Sequence, residues 1–163
     1  MKIIGIDPGL SGAIAILENN KVLNIFEIPV MSEGKKNKRQ LNSAQLVKLI
    51  KDNILENDEV AVVVEQVNAM PGQGVTSMFN FGQTFGAIKG VCAALGLPIF
   101  FVRPSKWKKH FELINSSKDS SRTKAIEMYP SLSNDLSRKK DVNKSDAILI
   151  ARFYSETRLN EDN

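Results

Sequence analysis

The sequence predicts an α/β fold in which a five-stranded mixed sheet is flanked by helices. Short apolar segments rich in β-branched residues alternate with segments in which apolar residues recur at helical spacing. The second and third predicted strands are separated by Asn19-Asn20, a plausible hairpin turn, whereas helices separate the later strands. The chain has 163 residues, of which 42% are hydrophobic, and this suits a single domain over residues 1–163.

The predicted strands are short and mostly apolar. They cover residues 2–7, 13–17, 22–28, 60–64 and 97–102. The first ends at Pro8-Gly9, a turn signal. Residues 60–64 are consecutively apolar and mostly β-branched, as expected of a strand buried on both faces, and 97–102 is interpreted in the same way. The polar and charged segment 32–39 is predicted to be a mobile loop.

Helices are predicted between and after the later strands. They cover residues 41–55, 82–95, 104–111, 118–129 and 142–156. Leu46, Leu49 and Ile50 show the helical spacing in the first of them. The short acidic segment 158–163 is predicted to be a frayed tail.

Composition excludes several classes of protein. One cysteine, Cys92, excludes an internal disulfide and a thiolate metal cluster, and one histidine, His110, excludes zinc sites built on paired histidines. The longest apolar run, 90–102, is too short to span a membrane and contains Gly96 and Pro98. The N-terminus does not have the pattern of a secretory signal. We therefore expect a cytoplasmic protein with no membrane partner.

The charge is unevenly distributed along the chain. Residues 103–144 hold eleven basic and five acidic side chains, whereas residues 1–102 hold nine of each. A basic block of this size suggests a polyanionic partner such as a nucleic acid. The alternative is an ordinary solvated surface, and charge alone does not decide between them.

Three acidic residues lie where a carboxylate is costly unless it has a partner. Asp7 closes the first strand and Glu65 follows the strand 60–64, so that parallel pairing of these strands would bring both acids to one sheet edge. Asp146 shares a helix face with Ile150 and Phe153, and that face should be buried. Oxygen-only ligands of this kind favour Mg²⁺ or Mn²⁺ over zinc.

Each of these acids also has a simpler structural interpretation. Asp7 could cap the turn at Pro8-Gly9, Glu65 could pair with a lysine at the edge of the core, and Asp146 could form a capping box with Asn143. Taken singly, these interpretations are at least as good as a metal site. Taken together, they need three explanations where a metal site needs one.

Ordered motifs extend over nearly the whole chain. They are Gly5-Ile6-Asp7-Pro8-Gly9, Val64-Glu65-Gln66, and Lys139-Lys140-Asp141 through Asp146-Ala147 to Ile150-Ala151. Further motifs are Met70-Pro71, Pro104-Ser105-Lys106-Trp107-Lys108, Ser121-Arg122 and Tyr129-Pro130-Ser131-Leu132. The first group resembles RuvC-type Holliday junction resolvases. The second resembles the branch of that family that includes the monokaryotic-chloroplast resolvases of plants.

The resemblance implies an RNase H-like fold, a homodimer and metal-dependent incision of four-way DNA junctions. It further implies two Mg²⁺ or Mn²⁺ ions per active site, no nucleotide cofactor, and products with a 5′-phosphate and a 3′-hydroxyl. The family's first, second and final acidic ligands match Asp7, Glu65 and Asp146, with Asp7 as the bridging ligand. Lys108 and Lys118 match family lysines near the scissile strand.

The family's fourth ligand does not carry over directly. Relatives have Asp or His one turn before the final acid, where this chain has Val142 and Asn143. Asn143 can offer a carbonyl oxygen without charge, and we include it among the candidate catalytic residues. Asp141 could reach a metal only from a non-helical position before the helix, and the favoured alternative is that it caps that helix.

DNA contacts are predicted from the basic block and from the resemblance. The basic candidates are Lys106, Lys108, Lys109, Lys118, Arg122, Lys124, Lys139 and Lys140. Met70, Phe79 and Phe81 lie in the segment where relatives insert residues at the junction centre, although burial in the dimer contact is about equally plausible. Trp107 is interpreted as an apolar anchor for its short helix.

Three rival functions remain open from the sequence. The turn at Gly5–Gly9 also resembles the phosphate-binding hairpin of sugar-kinase and actin-like ATPases, but those need two such domains, and no Walker sequence follows here. The second rival is a non-catalytic junction-binding homologue, with Asn143 as the mark of a lost ligand. The third is a related nuclease that acts on RNA or on other branched DNA.

Overall fold

The computed structural model describes residues 1–34 and 38–161. The strands are β1 (Lys2–Ile6), β2 (Ala13–Glu18), β3 (Lys21–Glu27), β4 (Val30–Glu33), β5 (Lys38–Leu41), β6 (Val60–Glu65) and β7 (Ile99–Val102). The helices are α1 (Ser43–Asn53), α2 (Val75–Ala94), α3 (Pro104–His110), α4 (Ser120–Met128) and α5 (Val142–Glu161). Short 3₁₀ turns at Pro130–Leu132 and Lys139–Asp141 precede α5.

β1 is the central strand of the main sheet. The strand order is β3-β2-β1-β6-β7, in which β1 pairs antiparallel with β2 and parallel with β6. β7 pairs parallel with β6 and forms one edge of the sheet. The crossovers into β6 and β7 contain α1 and α2, because parallel strands cannot be joined by a tight turn. The predicted five-stranded mixed sheet is confirmed.

The sheet separates two hydrophobic layers, because successive residues of a strand face opposite sides. On one side Ile4 and Ile6 pack with α1 and α2. On the other side Ile3 packs in a cluster that includes the fully buried Trp107 of α3 and Leu149 of α5. Helices therefore cover both faces, and the carboxyl ends of β1, β6 and β7 come out at a common edge.

α5 crosses β1 very closely at Gly5. A Cβ atom on Gly5 would lie 2.2 Å from the carbonyl oxygen of Ala147 and 2.8 Å from the Cβ atom of Ala151. The absence of a side chain at Gly5 therefore allows the helix to lie directly on the strand. Because Ala147 follows Asp146, this contact also fixes where Asp146 lies relative to β1.

The predicted mobile loop at 32–39 is wrong for its described residues. β4 and β5 form a separate antiparallel hairpin in which Val30 is in register with Leu41. Leu41 is buried in the core, and the backbone N–H of Asn42 donates to the carbonyl oxygen of Pro29 at 2.8 Å, which closes the open end of the hairpin. Burial of the apolar residues at the base of the hairpin thus stabilises a regular structure, although the sequence between them is mostly polar.

The structure also differs from the prediction in three larger features. α2 begins at Val75 rather than at residue 82, and its glycines are exposed. β7 is not buried as predicted, because it is an edge strand in which Phe100 and Phe101 are each 41% exposed. α5 continues through Glu161, which corrects the predicted tail as far as that residue; 162–163 lie outside the described part. None of the described helices is both long and apolar enough to cross a membrane.

Replacing Gly5 with Ala should destabilise the protein, because the new methyl group would collide with the backbone of α5. We expect the free energy of unfolding, measured with urea, to fall by about 1–3 kcal/mol or more. The matched control is Gly90→Ala in α2, where a Cβ atom meets nothing within 4 Å. That change should raise the free energy of unfolding by up to about 1 kcal/mol. Equal effects at both positions would contradict the close contact.

Candidate functional site

Asp7 and Glu65 lie side by side at the carboxyl edge of the sheet. β1 and β6 are parallel, and Ile6 is in register with Val64, so the next residue of each chain segment occupies an adjacent position. Neighbouring strands are about 4.8 Å apart, a distance at which two carboxylates interact strongly. The sequence predicts that parallel pairing of these two strands would bring Asp7 and Glu65 together, and β1 and β6 do pair in parallel.

Asp146 joins the pair from α5. It lies in the second turn of that helix and directly before Ala147, whose backbone touches β1 at Gly5. Its negative charge raises the pKa of both Asp7 and Glu65, which places it close to each of them. All three side chains are only partly exposed. We call these three residues the carboxylate cluster.

The pKa of Asp7 is raised from 3.8 to about 7. The largest cause is burial, which disfavours the charged form, and repulsion by Glu65 and then by Asp146 adds to it. A hydrogen bond from the backbone of Gly9 and the charge of Lys108 act in the opposite direction. These two effects do not compensate for the burial and the repulsion.

Glu65 is held by a tryptophan rather than by the lysine that the sequence suggested as an alternative. The indole Nε1–H of Trp107 donates to Oε2 of Glu65 at 2.7 Å, and Trp107 is fully buried. Burial raises the pKa of Glu65, the Trp107 hydrogen bond lowers it, and Asp146 raises it again, with a net upward shift. The hydrogen bond fixes one oxygen of Glu65 and so sets the direction of its carboxylate.

Asp146 has a buried oxygen, Oδ1, without a hydrogen-bond partner among the described residues. Burial raises its pKa, against the effects of the Ser121 hydroxyl, Lys108 and Lys118. The capping-box alternative is not observed, because α5 begins at Val142 and Asn143 uses its amide elsewhere. An unpaired buried carboxylate oxygen is costly, and a cation would satisfy it.

The donor chemistry of the carboxylate cluster fits a hard divalent cation, since only oxygen atoms are offered. As they stand, no three His, Cys, Asp or Glu side chains in the described ranges are arranged to hold one ion. Burial and, after it, the charges of Glu65 and Asp146 raise the pKa of Asp7, and a bound cation would favour its charged form.

Comparisons with known proteins give structural relatives only. No family model matches the chain, and neither does any curated protein. Among solved structures, Thermus thermophilus RuvC in complex with a Holliday junction substrate has a TM-score of 0.59 and 17% identity over 97% of this chain and 96% of that one. This chain has the RuvC fold. It is the RNase H-like fold that the sequence motifs predicted.

Two further structures agree with the RuvC fold. A second Thermus thermophilus RuvC structure has a TM-score of 0.55 and 19% identity over 97% of each chain. The fowlpox virus Holliday junction resolvase has a TM-score of 0.58 and 18% identity over 97% of this chain and 99% of that one. These likenesses confirm the predicted architecture. The closer resemblance to the plant branch stays a prediction.

Within the RuvC fold, Asp141 lies apart from the carboxylate cluster. Its buried carboxylate is bound by Arg138 at 2.9 Å and by Lys144 at 3.1 Å, and it accepts a hydrogen bond from the backbone of Arg138. The Arg138 side chain is the main cause of a pKa held well below its ordinary value. Both oxygens are thus engaged in the turn before α5. Asp141 therefore caps the 3₁₀ turn before α5, whereas the sequence had suggested that it caps α5 itself, and we leave it out of the proposed metal site.

Asn143 connects α5 to the turn after β1. Its Nδ2 donates to the carbonyl oxygen of Ser11 at 2.7 Å. Asn143 also lines a small cavity together with Arg39, Lys140 and Lys144. The amide N–H of Asn143 is therefore already hydrogen-bonded within the protein. Binding of a metal ion by its side-chain carbonyl oxygen stays a prediction.

The basic candidates fall into two groups. Arg122 pairs with Asp119 through two contacts of 2.8 Å and donates to the carbonyl oxygen of Leu136, and Lys124 contacts Glu127 at 3.3 Å. These two are therefore engaged within the protein. The exposed candidates are Lys106, Lys109, Lys118, Lys139 and Lys140. Lys108 is partly exposed, and its charge lowers the pKa of all three acids of the cluster.

The three apolar candidates differ in exposure. Met70 and Phe79 are each 65% exposed. Met70 lies shortly before α2, and Phe79 lies in the second turn of that helix. Phe81 is partly buried, and its ring lies 3.8 Å from the position of a Cβ atom on Gly9. Phe81 therefore packs on the turn that follows Asp7, whereas Met70 and Phe79 are open to a ligand.

Sequence reasoning missed two residues that contact the cluster. Trp107 was predicted to be buried, but its hydrogen bond to Glu65 was not foreseen; a buried indole N–H needs an acceptor, and this rule could have directed attention to an unpaired acid. Ser121 lies in a recognised motif, yet nothing in that motif connects it with Asp146. Both contacts join residues that are far apart in the chain.

In the metal-free protein, replacing Asp7 with Asn should be stabilising at high pH. The pKa of Asp7 is higher in the folded protein than in the unfolded chain. Its contribution to the free energy of unfolding is therefore fully present below pH 3.8 and is lost as the pH rises through about 7. Asn carries no charge to lose. Urea unfolding in the presence of a chelator should show the variant to be more stable by up to about 4 kcal/mol at pH 8, with the difference fading towards pH 4.

Asp58→Asn is the matched control for this pH dependence. A backbone hydrogen bond from Leu55 and an ion pair with Lys2 lower the pKa of Asp58, so its stability contribution is present at neutral pH and is lost on acidification. Its replacement should therefore destabilise the protein at pH 8. If Asp7→Asn behaved in the same way as Asp58→Asn, the raised pKa of Asp7 would be refuted.

Trp107 and Glu65 should be energetically coupled. Trp107→Phe keeps an aromatic ring in the core but removes the N–H donor, and breaking this hydrogen bond should cost about 1–3 kcal/mol. In a Glu65→Ala background the donor has no acceptor, so the same change should cost less by about that amount. Unfolding of both single variants and the double variant measures this coupling. Additive effects would mean that the 2.7 Å contact contributes nothing.

Proposed function

We propose that this protein is a divalent-metal-dependent endodeoxyribonuclease that resolves four-way (Holliday) DNA junctions. The convergence of Asp7, Glu65 and Asp146 at one sheet edge, in a fold shared with RuvC, is the observation that carries the proposal. Paired incisions by hydrolysis would leave 5′-phosphate and 3′-hydroxyl ends. Such ends can be joined again by a ligase, as junction resolution requires.

The carboxylate cluster would hold two Mg²⁺ or Mn²⁺ ions. Asp7, Glu65 and Asp146 would hold these ions together, since each acid interacts electrostatically with at least one of the others, and the family resemblance assigns the bridging role to Asp7. When bound, two such ions supply an activated water and stabilise the leaving oxygen of a phosphodiester. Their positive charge would also offset the repulsion that raises the pKa of Asp7. Trp107 would keep the Glu65 carboxylate aimed at its ion.

The lysines around the cluster would hold the DNA strand for reaction. Lys108 lies near all three acids and Lys118 lies near Asp146, so both can donate to the phosphate being cut. The exposed Lys109, Lys139 and Lys140 would neutralise phosphates farther along the arms. Affinity that comes from such contacts falls as the salt concentration rises.

A four-way junction requires two coordinated cuts, and we propose that a homodimer makes them. The exposed Met70 and Phe79 lie near the N-terminal end of α2, where they could stack at the junction centre or contact the second subunit. Phe81 would support the turn after Asp7 instead. No nucleotide cofactor enters this scheme.

A non-catalytic junction-binding function is the second candidate. It is favoured by one observation: Asn143, at the position nearest to the family's fourth ligand, is neutral and donates its amide N–H to Ser11. Such a protein would bind junctions and leave them uncut. A nuclease directed to RNA or to other branched DNA would instead show a different substrate preference.

The test uses labelled DNA and the purified full chain. A four-way junction, a linear duplex and an RNA–DNA hybrid are incubated with and without Mg²⁺ or Mn²⁺. We expect symmetric nicks in the junction alone, and only with the metal. Asp7→Asn should abolish cutting and keep junction binding, because it removes a metal ligand without altering the basic surface.

Asp58→Asn removes an acid outside the carboxylate cluster and should cut like the wild type. Junction binding without cuts by the wild type would favour the non-catalytic candidate, and cutting of the hybrid alone would favour a nuclease directed to RNA. Full activity of Asp7→Asn would refute the assignment of the site. Metal-independent cutting would refute the role of the carboxylate cluster.

A further inference from the structure

A cleft of about 720 Å³ lies beside the edge strand β7, outside the carboxylate cluster. One wall is β7 and the other is the second half of α5. Gln66 and Arg103 line it near the carboxyl edge of the sheet, and Arg158 lines it near the C-terminal end of α5. We call it the β7–α5 cleft.

The floor of the β7–α5 cleft is aromatic. Phe100 of β7 is 41% exposed, and its ring centroid lies 4.9 Å from that of Tyr154 on α5. β7 has no strand on its outer side among the described residues, and Tyr154 leaves part of the Phe100 ring open to solvent. A half-exposed phenyl ring that is braced by a second ring is a suitable surface for a planar ligand to stack on.

The rim of the β7–α5 cleft is cationic. Arg103, Lys106 and Arg158 line it, and no Asp or Glu does. Arg158 is partly engaged, since it lies 3.7 Å from Glu59. Arg103 and Lys106 form no salt bridge with any described residue. Aromatic floors with cationic rims suit single-stranded nucleic acids, which carry a stacking base and a phosphate at each step.

The upper end of the β7–α5 cleft, which is the end lined by Gln66 and Arg103, opens next to the carboxylate cluster. Glu65 is in register with Val102, and the backbone N–H of Gln66 donates to the carbonyl oxygen of Val102 at 2.7 Å. The next residue after Val102 is Arg103. A strand whose phosphate lies at the cluster could therefore continue into the cleft past Gln66 and Arg103.

We propose that the β7–α5 cleft binds an unpaired segment of a DNA strand, with a base stacked on Phe100 and phosphates at Arg103 and Lys106. This inference rests on the proposed function, which brings a DNA strand to the upper end of the cleft. An extended acidic peptide or a second copy of the chain could also cover an edge strand. The opening beside the cluster favours DNA over both.

The test measures binding of a short single-stranded oligonucleotide by fluorescence anisotropy without divalent metal. Phe100→Leu keeps an apolar side chain in the floor but removes the stacking surface, and it should weaken binding about tenfold. Arg103→Gln should reduce the slope of log affinity against log salt by about 0.7, the value for one phosphate of a single strand. A 2-aminopurine base in the oligonucleotide should be quenched by the wild type and not by Phe100→Leu.

Phe85→Leu is the matched control. Phe85 of α2 does not line the cleft, and its ring packs with the apolar cluster on the other side of the sheet, with its centroid 5.5 Å from that of Phe101. This variant should bind the oligonucleotide like the wild type. Equal binding by Phe100→Leu and the wild type would overturn the proposal, as would a loss that follows a change in oligomeric state measured by light scattering.

The same samples separate this inference from the proposed function. If the wild type binds a four-way junction and Phe100→Leu leaves single-strand binding unchanged, the cleft is not a DNA site and the proposed function is unaffected. If the wild type binds neither junction nor single strand, the proposed function fails and this inference fails with it. Weakened single-strand binding with retained junction binding supports both.

Discussion

Electrostatic repulsion among Asp7, Glu65 and Asp146 is the constraint on which the proposed chemistry depends. The backbone imposes it: parallel pairing of β1 and β6 places the first two acids side by side, and the contact of α5 with Gly5 brings in the third. Rearranging these side chains alone cannot separate them widely, because each is attached to an element of the core. The fold therefore maintains a local concentration of negative charge that a divalent cation would relieve.

Asp141 differs from the acids of the carboxylate cluster because its charge is neutralised within the fold. Arg138 and Lys144 neutralise it, and its pKa is lowered, whereas the pKa of each acid in the carboxylate cluster is raised. Around the cluster, two consecutive residues of α3 have different tasks. Trp107 orients Glu65 through a hydrogen bond, and Lys108 supplies positive charge that only partly compensates for three negative ones. The contrast separates a carboxylate that the surrounding charges neutralise from carboxylates whose burial and repulsion are only partly compensated, as the proposed metal site requires.

Much of this architecture could be predicted from the sequence, and the failures have physical causes. The acids at the strand ends could be predicted because each follows directly after an apolar run. The fold could be predicted from the ordered motifs. The β4–β5 hairpin was missed because Val30 and Leu41 lie at its base and the residues between them are polar apart from Met31. Phe100 is exposed because β7 is an edge strand in the described part of the chain, and an apolar run does not reveal whether its strand lies at an edge. The contact between Trp107 and Glu65 joins separate elements, so no local pattern encodes it.

The most direct test of this account is a crystal structure of the protein grown with Mn²⁺, in which anomalous scattering locates the ions. The account predicts two ions, both within about 2.2 Å of a carboxylate oxygen of Asp7, one also bound by Glu65 and the other by Asp146. Ions bound only at Asp141, or a cluster that stays empty at saturating Mn²⁺, would contradict it.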